Sequence, residues 1–221
     1  MKFVLFDFGG TLDSDGLPWI DRFHPMYRRA GIESSPEAFQ KAFHRADDAL
    51  ATRHRLEGLS LDETLALQAA GVLEILAPEK TDLAAALAEE FLEQSRKFLR
   101  RNRELLARLS KRFRLGVVSN FYGNLESVLR GEGMDGFFSV LADSGVLGVE
   151  KPNPEIFRHA VKALGAGIQD GWMVGDSLER DIRGAEGLGL AHAWLGAVPS
   201  APCCPRGARI KSLMDLEALL P

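Results

Sequence analysis

Residues 3–12 read Phe-Val-Leu-Phe-Asp-Phe-Gly-Gly-Thr-Leu, and the architecture of the chain can be inferred outward from them. The run Phe3–Phe6 is apolar and partly β-branched, which predicts a short buried strand. Asp7, Gly9 and Gly10 then predict a tight loop. A single strand can neither pair its backbone groups nor bury both of its faces, so this strand must join others from elsewhere in the chain.

The partner strands are predicted in the second half of the chain, where short apolar runs alternate with helical patterns after Arg103. Strands that alternate with helices indicate a parallel sheet with helices on both faces. The fold class is therefore predicted to be α/β. The predicted strands are Leu115–Val118, Phe138–Leu141, Trp172–Val174 and Ala191–Leu195, and the predicted helices are Leu125–Arg130, Pro154–Leu164 and Glu179–Gly187.

A block with a helical pattern, from about Trp19 to Phe98, separates the first strand from the later ones. Because the sheet is complete without it, we interpret this block as an inserted all-helical cap. Residues 16–100 are predicted to form the cap, and residues 1–15 and 101–221 the α/β core. Three helix starts are predicted in the cap, at Ser35-Pro36, at the capping box of Ser60 and Glu63, and at Thr81-Asp82.

The charge of the chain argues against a nucleic-acid partner. The net charge is −4 and the isoelectric point is about 5.8, which gives no electrostatic footprint for nucleic acid. One basic run has helical spacing and is interpreted as a solvated helix face. The residues of this run are Arg96, Lys97, Arg100, Arg101 and Arg103.

The chain also lacks the sequence signals of membrane insertion and secretion. No apolar run approaches the ~18 residues that span a bilayer. Asp7 interrupts the first apolar stretch too early for a signal peptide. The two cysteines, Cys203 and Cys204, are adjacent, and neighbours in sequence rarely satisfy disulfide geometry. We therefore expect a cytoplasmic protein with reduced thiols.

Polar residues and glycines follow the predicted strands, at the edge of the sheet where α/β proteins bind ligands. Since the strands are parallel, these residues are expected to lie close together. They are Asp7, Gly9, Gly10 and Thr11 after the first strand, Ser119 and Asn120 after the second, Lys151 before a helix start, and Gly175, Asp176, Ser177 and Asp181 after the strand Trp172–Val174.

Each of these residues has an ordinary structural explanation when it is taken alone. Asp7 would be a turn former, Lys151 a surface lysine, and Asp176 and Asp181 acids at a helix start. Together, several carboxylates with a lysine and oxygen-rich loops suit Mg²⁺, which bridges protein oxygens to phosphate. The predicted chemistry is an in-line attack of Asp7 on phosphorus, which gives an aspartyl-phosphate that water then hydrolyses.

The chain resembles the haloacid dehalogenase (HAD) superfamily in four short motifs, and the resemblance covers essentially its whole length. The helical insert is similar to the C1 cap of subclass I. This resemblance implies a Rossmann-like core, a Mg²⁺ cofactor and a small phosphorylated substrate. The motifs are Asp7-x-x-Gly10-Thr11, Ser119, Lys151-Pro152, and Gly175-Asp176-Ser177 with Asp181.

The resemblance also implies a role for each motif residue. Asp7 would be the nucleophile, and Lys151 would assist it. Mg²⁺ would be held by Asp7, Asp176 and the backbone carbonyl of Gly9. The implied phosphate-binding residues are Gly10, Thr11, Ser119, Asn120 and Lys151, and the implied supporting residues are Ser177 and Asp181.

Gly9 departs from the pattern of the phosphatases in this superfamily, which carry a second aspartate at that position. That aspartate protonates the leaving group and later activates water, while its carbonyl binds the metal. A glycine retains the carbonyl and lacks the acid, whose assistance is typically worth ~10²–10⁴-fold in rate. Ordinary phosphate monoesters should therefore be hydrolysed slowly. The nearby Asp13 and Asp15 are interpreted as solvated loop acids and not as replacements.

Other functions are also compatible with these residues. A catalytically weak or inactive relative would keep the site to bind a phosphate ligand or a protein partner. Signalling receiver domains are disfavoured by the inserted cap, and dehalogenases by the retained metal-site acids. In the cap, Trp19 and Tyr27 are expected to pack in the core, whereas Arg22 and His24 are the better candidates for contact with a polar substrate. We expect a monomer or homodimer.

Overall fold

The computed structural model describes residues 2–196 and 207–221, and this part of the chain contains one sheet of six strands. The strands are β1 (Phe3–Phe6), β2 (Arg114–Ser119), β3 (Phe138–Asp143), β4 (Gly171–Gly175), β5 (Ala191–Leu195) and β6 (Gly207–Ile210). Their order is β3-β2-β1-β4-β5-β6, and all neighbours are parallel. The predicted α/β class is confirmed.

Strand β1 lies inside the sheet between β2 and β4. Leu5 is in register with Gly116 of β2 and with Met173 of β4. All four residues of Phe3–Phe6 are fully buried. A strand that is covered on both faces needs an unbroken apolar run, which explains why this segment does not alternate with polar residues.

Strand β6 at the edge of the sheet was not predicted from the sequence. It pairs with β5 through four registered residue pairs. Of its residues only Ile210 is buried, and Arg209 and two small residues make up the rest. A run of four residues with one large apolar side chain carries no recognisable strand pattern. The adjacent Cys203 and Cys204 lie outside the described residues.

Helices cover both faces of the sheet. In the described residues they are α1 (Trp19–Arg29), α2 (Pro36–Arg53), α3 (Leu61–Leu76), α4 (Ala84–Leu109), α5 (Leu125–Gly131), α6 (Ser144–Leu147), α7 (Pro154–Ala163), α8 (Arg183–Leu188) and α9 (Leu216–Leu219). None of the helices in this part of the chain is both long and apolar enough to cross a membrane.

Two of the three predicted helix starts are present. The Ser35 hydroxyl accepts a hydrogen bond from the Ala38 N–H at 3.2 Å at the start of α2. The capping box of Ser60 and Glu63 opens α3. The third start is wrong, because a tight 3₁₀ segment (Pro78–Leu83) precedes α4, which begins only at Ala84.

Helix α4 connects the helical insert to the sheet. It is 26 residues long and continues well beyond residue 100, so the predicted limit between cap and core falls inside one helix. Phe91 of α4, Phe23 of α1 and Phe121 after β2 belong to one continuous apolar cluster, which also contains the β1 residue Phe6. The helical insert therefore packs directly against the α/β core. The exact division into two domains stays a prediction.

The order of the strands determines where the polar motif residues meet. Because β1 lies between β2 and β4, the carboxyl ends of these three strands are neighbours. Asp7 directly follows β1, Ser119 ends β2, and Asp176 directly follows β4. Side chains that are more than a hundred positions apart in sequence are thereby brought to one edge of the sheet.

Candidate active site

Asp7 occupies the centre of this edge. Its N–H donates to the Val174 carbonyl at 2.9 Å, which continues the sheet hydrogen bonding by one residue. The Ser119 hydroxyl donates to Oδ1 of Asp7 at 2.9 Å, and the Lys151 ammonium donates to the same oxygen at 2.7 Å. The carboxylate is therefore held in one orientation in a nearly buried position.

Lys151 bridges two of the carboxylates. Its Nζ lies 2.7 Å from Asp7 and 2.6 Å from Oδ1 of Asp181. Burial alone would lower the pKa of Lys151, but the charges of Asp181 and Asp7 and their hydrogen bonds outweigh burial and raise that pKa above its usual value. The lysine is therefore a fixed positive charge at the site.

Asp176 and Asp181 complete a group of three carboxylates with Asp7, each contributing one oxygen to a set whose members lie within 4.8 Å of one another. Burial and the charges of Asp7 and Asp181 raise the pKa of Asp176 well above its usual value. Burial also raises the pKa of Asp181 to about 6, although Lys151 opposes this. So many negative charges in one place, all on oxygen donors, fit a hard divalent cation such as Mg²⁺.

Neighbouring groups hold Asp176 and Asp181 in position. The Thr11 hydroxyl donates to Asp176 at 3.0 Å, and the Ser177 N–H donates to Asp181 at 2.9 Å. Gly175 lies so close to Asp181 that a Cβ at this glycine would be 2.3 Å from the carboxylate. Thr11, which is implied to bind phosphate, is thus engaged with a carboxylate in this structure.

The loop after β1 needs glycine at position 10, because its backbone lies close to the Asp176 carboxylate. Gly10 has φ of +87°, and a Cβ there would lie 2.5 Å from Asp176. The Gly10 N–H is not free to bind an anion. It donates to Asp13 at 2.7 Å, because the chain turns back within three residues.

The Asn120 side chain forms two hydrogen bonds with the backbone of Lys151. Its side-chain amide donates to the Lys151 carbonyl at 3.1 Å, and its side-chain oxygen accepts from the Lys151 N–H at 2.7 Å. This two-point contact orients the backbone from which the lysine side chain extends. The phosphate contact that the resemblance implies for Asn120 stays a prediction.

The interpretation of Asp13 as a solvated loop acid is wrong. The side chain is fully buried, and its carboxylate forms an ion pair with Arg22 of α1 at 2.8 Å. A buried carboxylate requires such compensation. The further donors to its oxygens are the Gly10 N–H at 2.7 Å, the Trp19 indole N–H at 2.8 Å and the Ser95 hydroxyl at 3.1 Å.

Asp15 is also not a free loop acid. It accepts two hydrogen bonds of 2.7 Å from Arg101 of α4 and one of 3.2 Å from the Leu213 N–H. Burial would raise the pKa of Asp15, but these hydrogen bonds and the charge of Arg101 lower it below its usual value. The basic run on α4 is thus only partly a solvated face, since Arg101 and Arg96 form ion pairs with Asp15 and Glu132.

Trp19 fills the space next to Gly9. A Cβ at Gly9 would lie 3.1 Å from the indole Nε1. The ring is held by its hydrogen bond to Asp13 and by edge contacts with Phe91 and Phe121, at centroid distances of 5.4 and 6.2 Å. The place from which a second aspartate side chain would extend is therefore bordered by an aromatic ring.

The predictions for the cap side chains are partly wrong. Arg22 is buried in its pair with Asp13, and His24 stacks on Phe39 at 4.6 Å, so neither lines the cavity above Asp7. Tyr27 is buried as expected, with its hydroxyl donating to the Ala69 carbonyl at 3.0 Å. Trp19 packs in the core and also forms part of the cavity wall.

A cavity of about 140 Å³ opens above Asp7, Ser119 and Lys151. Several of its lining residues were missed by the sequence analysis, because single polar residues on a helix or loop carry no recognisable pattern. From the insert these are Phe43, His44 and Asp47, and from the α/β core Tyr122 and Arg180.

Comparisons with known proteins agree with this arrangement. A family model described as haloacid dehalogenase-like hydrolase matches residues 1–189. Phosphoserine phosphatase of Thermus thermophilus is 29% identical, with 98% of each chain covered. Glyceraldehyde 3-phosphate phosphatase of Pyrococcus abyssi is 40% identical over 95 residues, which are 42% of this chain and 40% of the relative.

The fold has counterparts among solved structures. The HAD-hydrolase YfnB from Bacillus subtilis, in a crystal structure bound to magnesium, has a TM-score of 0.59 and 21% sequence identity, with 99% of this chain and 98% of that chain covered. The sequence resemblance is thus confirmed by the match over most of the chain and by the shared fold. The protein belongs to the haloacid dehalogenase-like hydrolase family.

Proposed function

We propose that the protein is a Mg²⁺-dependent phosphatase of small phosphorylated molecules, with Asp7 as the nucleophile. The observation that carries this proposal is the carboxylate of Asp7, which is oriented by Ser119 at 2.9 Å and Lys151 at 2.7 Å beside two further acids. Two relatives that are named as phosphatases, of phosphoserine and of glyceraldehyde 3-phosphate, support a small phosphorylated substrate.

Each side chain has a defined part in this proposal. Asp7 attacks phosphorus, the bond to the leaving oxygen breaks, and water then cleaves the aspartyl-phosphate. Lys151 and Ser119 bind phosphoryl oxygens, with Gly10, Thr11 and Asn120 as further proposed contacts. Asp7, Asp176 and the Gly9 carbonyl would hold Mg²⁺, with Asp181 and Ser177 in support. The ion would neutralise phosphoryl charge.

The protein is further proposed to act in the cytoplasm, as a monomer or homodimer, with residues 16–100 covering the site as a cap. Gly9 lacks the carboxylate that would protonate a leaving group. We therefore expect substrates with good leaving groups, such as aryl phosphates, to be hydrolysed faster than alkyl phosphates by ~10²-fold or more.

The direct test is hydrolysis of an aryl phosphate with Mg²⁺ by the wild type and by Asp7→Asn. Loss of the carboxylate nucleophile should lower kcat at least ~10³-fold, because no covalent intermediate can form. Asp48→Asn is a matched control, because Asp48 is an exposed acid on α2 that does not line the cavity. Equal rates for wild type and Asp7→Asn would exclude Asp7 as the nucleophile.

A second candidate function is that of a non-catalytic relative that binds a phosphate ligand. The contact between Trp19 and the Gly9 position favours it, because the space beside the missing acid is occupied. Titration with inorganic phosphate and Mg²⁺ would then give binding, while no aryl phosphate would be turned over. Turnover that depends on Asp7 would exclude this candidate.

A further inference from the structure

The cavity above Asp7 has a second polar wall, formed by residues outside the group of three carboxylates. Asp47 comes from α2, Tyr122 lies in the loop after β2, and Arg180 lies in the segment after β4. Phe43 and Ile20 give the cavity an apolar side. A substrate whose phosphoryl group is at Asp7 would place its remaining atoms against this wall.

Asp47 is a half-buried carboxylate without a positive partner. It accepts a hydrogen bond from the Tyr122 hydroxyl, which orients it toward the cavity wall. Among the described residues, no lysine, arginine or histidine nitrogen lies within 4.0 Å of its oxygens. Burial raises the pKa of Asp47, and the charges of His44 and Arg180 only partly offset this. A cation bound next to Asp47 would compensate its lost hydration.

Arg180 provides the opposite charge in the same cavity. Its side chain is exposed, and its Nε makes one long hydrogen bond of 3.4 Å to the Ser177 hydroxyl. In the part of the chain that the structure describes, no carboxylate lies within 4.0 Å of it. Neighbouring arginines differ in this respect, since Arg183 pairs with Glu179. Arg180 is therefore available for an anionic group of a ligand.

We propose that the cavity selects a zwitterionic phosphomonoester, of the class of O-phosphorylated amino acids. This inference rests on the proposed phosphatase function. Asp47, oriented by Tyr122, binds the substrate ammonium, and Arg180 binds the substrate carboxylate. The apolar wall of Phe43 and Ile20 contacts the short carbon chain.

Three phosphomonoesters test the two proposed charge contacts, with Asp47 and with Arg180, one at a time. O-Phosphoserine carries both groups, 3-phosphoglycerate has a hydroxyl in place of the ammonium, and phosphoethanolamine lacks the carboxylate. For the wild type we expect kcat/KM to be highest with O-phosphoserine, by about 10-fold or more over each of the others, because each omission leaves a charged side chain without its partner.

Variants should change these preferences selectively. In Asp47→Asn the ratio of kcat/KM for O-phosphoserine to that for 3-phosphoglycerate should fall about 10- to 100-fold. In Arg180→Gln the ratio for O-phosphoserine to phosphoethanolamine should fall by a similar factor. The matched controls are Asp82→Asn and Arg183→Gln, which change one charge each at exposed positions outside the cavity lining and should keep both ratios.

Binding to Asp7→Asn gives a test that does not depend on turnover. Calorimetric titration should show O-phosphoserine binding more tightly than the other two esters, and Asp47→Asn in this background should remove the advantage over 3-phosphoglycerate. Equal affinities for the three esters, or a loss in Asp47→Asn that is the same for all of them, would overturn the proposal. Absence of aryl phosphate hydrolysis by wild type would instead count against the phosphatase function alone.

Discussion

At the scale of single residues, the contact between Gly9 and Trp19 bears most directly on catalysis. The backbone of Gly9, with φ of −73° and ψ of 122°, is open to any residue. The indole, in contrast, lies 3.1 Å from the Cβ position and is held by its hydrogen bond to Asp13. A side chain at position 9 would press against the indole, so we expect that an acid is restored effectively only when both residues change.

We predict that Gly9→Asp alone will gain little activity on alkyl phosphates, because the carboxylate meets the indole ring. The double variant Gly9→Asp with Trp19→Leu should gain more, up to the ~10²–10⁴-fold that general acid–base assistance provides. The measurement is kcat for an alkyl and an aryl phosphate. The gain should be larger for the alkyl ester, whose leaving group needs the proton.

Trp19→Leu alone is the control, and it should not gain activity, since it supplies no acid. Thermal unfolding should place Gly9→Asp below the wild type. A single Gly9→Asp variant that is as active as the double variant would show that the indole moves aside freely, and the steric explanation would then be wrong.

At the scale of elements, Asp13 joins three separate parts of the chain. Its carboxylate contacts the loop after β1 through Gly10, helix α1 through Arg22, and helix α4 through Ser95. Arg22 in turn donates to the Ser95 hydroxyl at 2.7 Å and to the Phe91 carbonyl at 3.2 Å. One buried polar network thus connects the helical insert to the loop that follows Asp7.

Asp13→Asn should therefore lower the free energy of unfolding by about 3–5 kcal/mol, because Arg22 would remain buried without its counter-charge. Urea unfolding would measure this. Asp21→Asn is the matched control, since Asp21 is exposed on α1, the helix that carries Arg22, and its effect should stay within about 0.5 kcal/mol. Asp13→Asn with Arg22→Met should recover part of the loss, and a loss as small as that of Asp21→Asn would contradict the assigned role.

At the scale of the whole molecule, three carboxylates at the sheet edge share a single lysine, so their mutual repulsion is only partly balanced. Their oxygens lie within 4.8 Å of one another, and Lys151 supplies one positive charge. Binding of Mg²⁺ to the folded state alone stabilises it by mass action. The stability of the protein should therefore depend on divalent cations.

Mg²⁺ at about 100 times its Kd should raise the stability by about 2.7 kcal/mol, or Tm by about 5–10 °C, relative to EDTA. Thermal unfolding by circular dichroism would measure this. Asp176→Asn should unfold at a higher temperature than wild type in EDTA, because one repelling charge is gone, and should lose the Mg²⁺ response. An unchanged response in Asp176→Asn would argue against Asp176 as a ligand.

Much of the architecture was predictable because it is encoded in local patterns. The apolar run Phe3–Phe6 and the later alternation of strands and helices are short-range signals, and they predicted all of the central strands. The edge strand Gly207–Ile210 was missed, since only one of its side chains is buried and an edge position imposes little pattern. The start of α4 was misplaced because Thr81 and Asp82 lie in a 3₁₀ segment, and cap-type residues do not distinguish such a segment from the first turn of an α-helix.

The amino-acid sequence alone was sufficient for the α/β class and for the positions of Asp7, Ser119, Lys151 and Asp176, because motif residues that follow strands of a parallel sheet must meet at one edge. The roles of Asp13, Trp19 and the second wall of the cavity depended on tertiary packing. These side chains obtain their partners from helices and loops distant in sequence. Whether a polar side chain is solvated, ion-paired or aimed into a cavity follows from that packing, which local spacing does not encode.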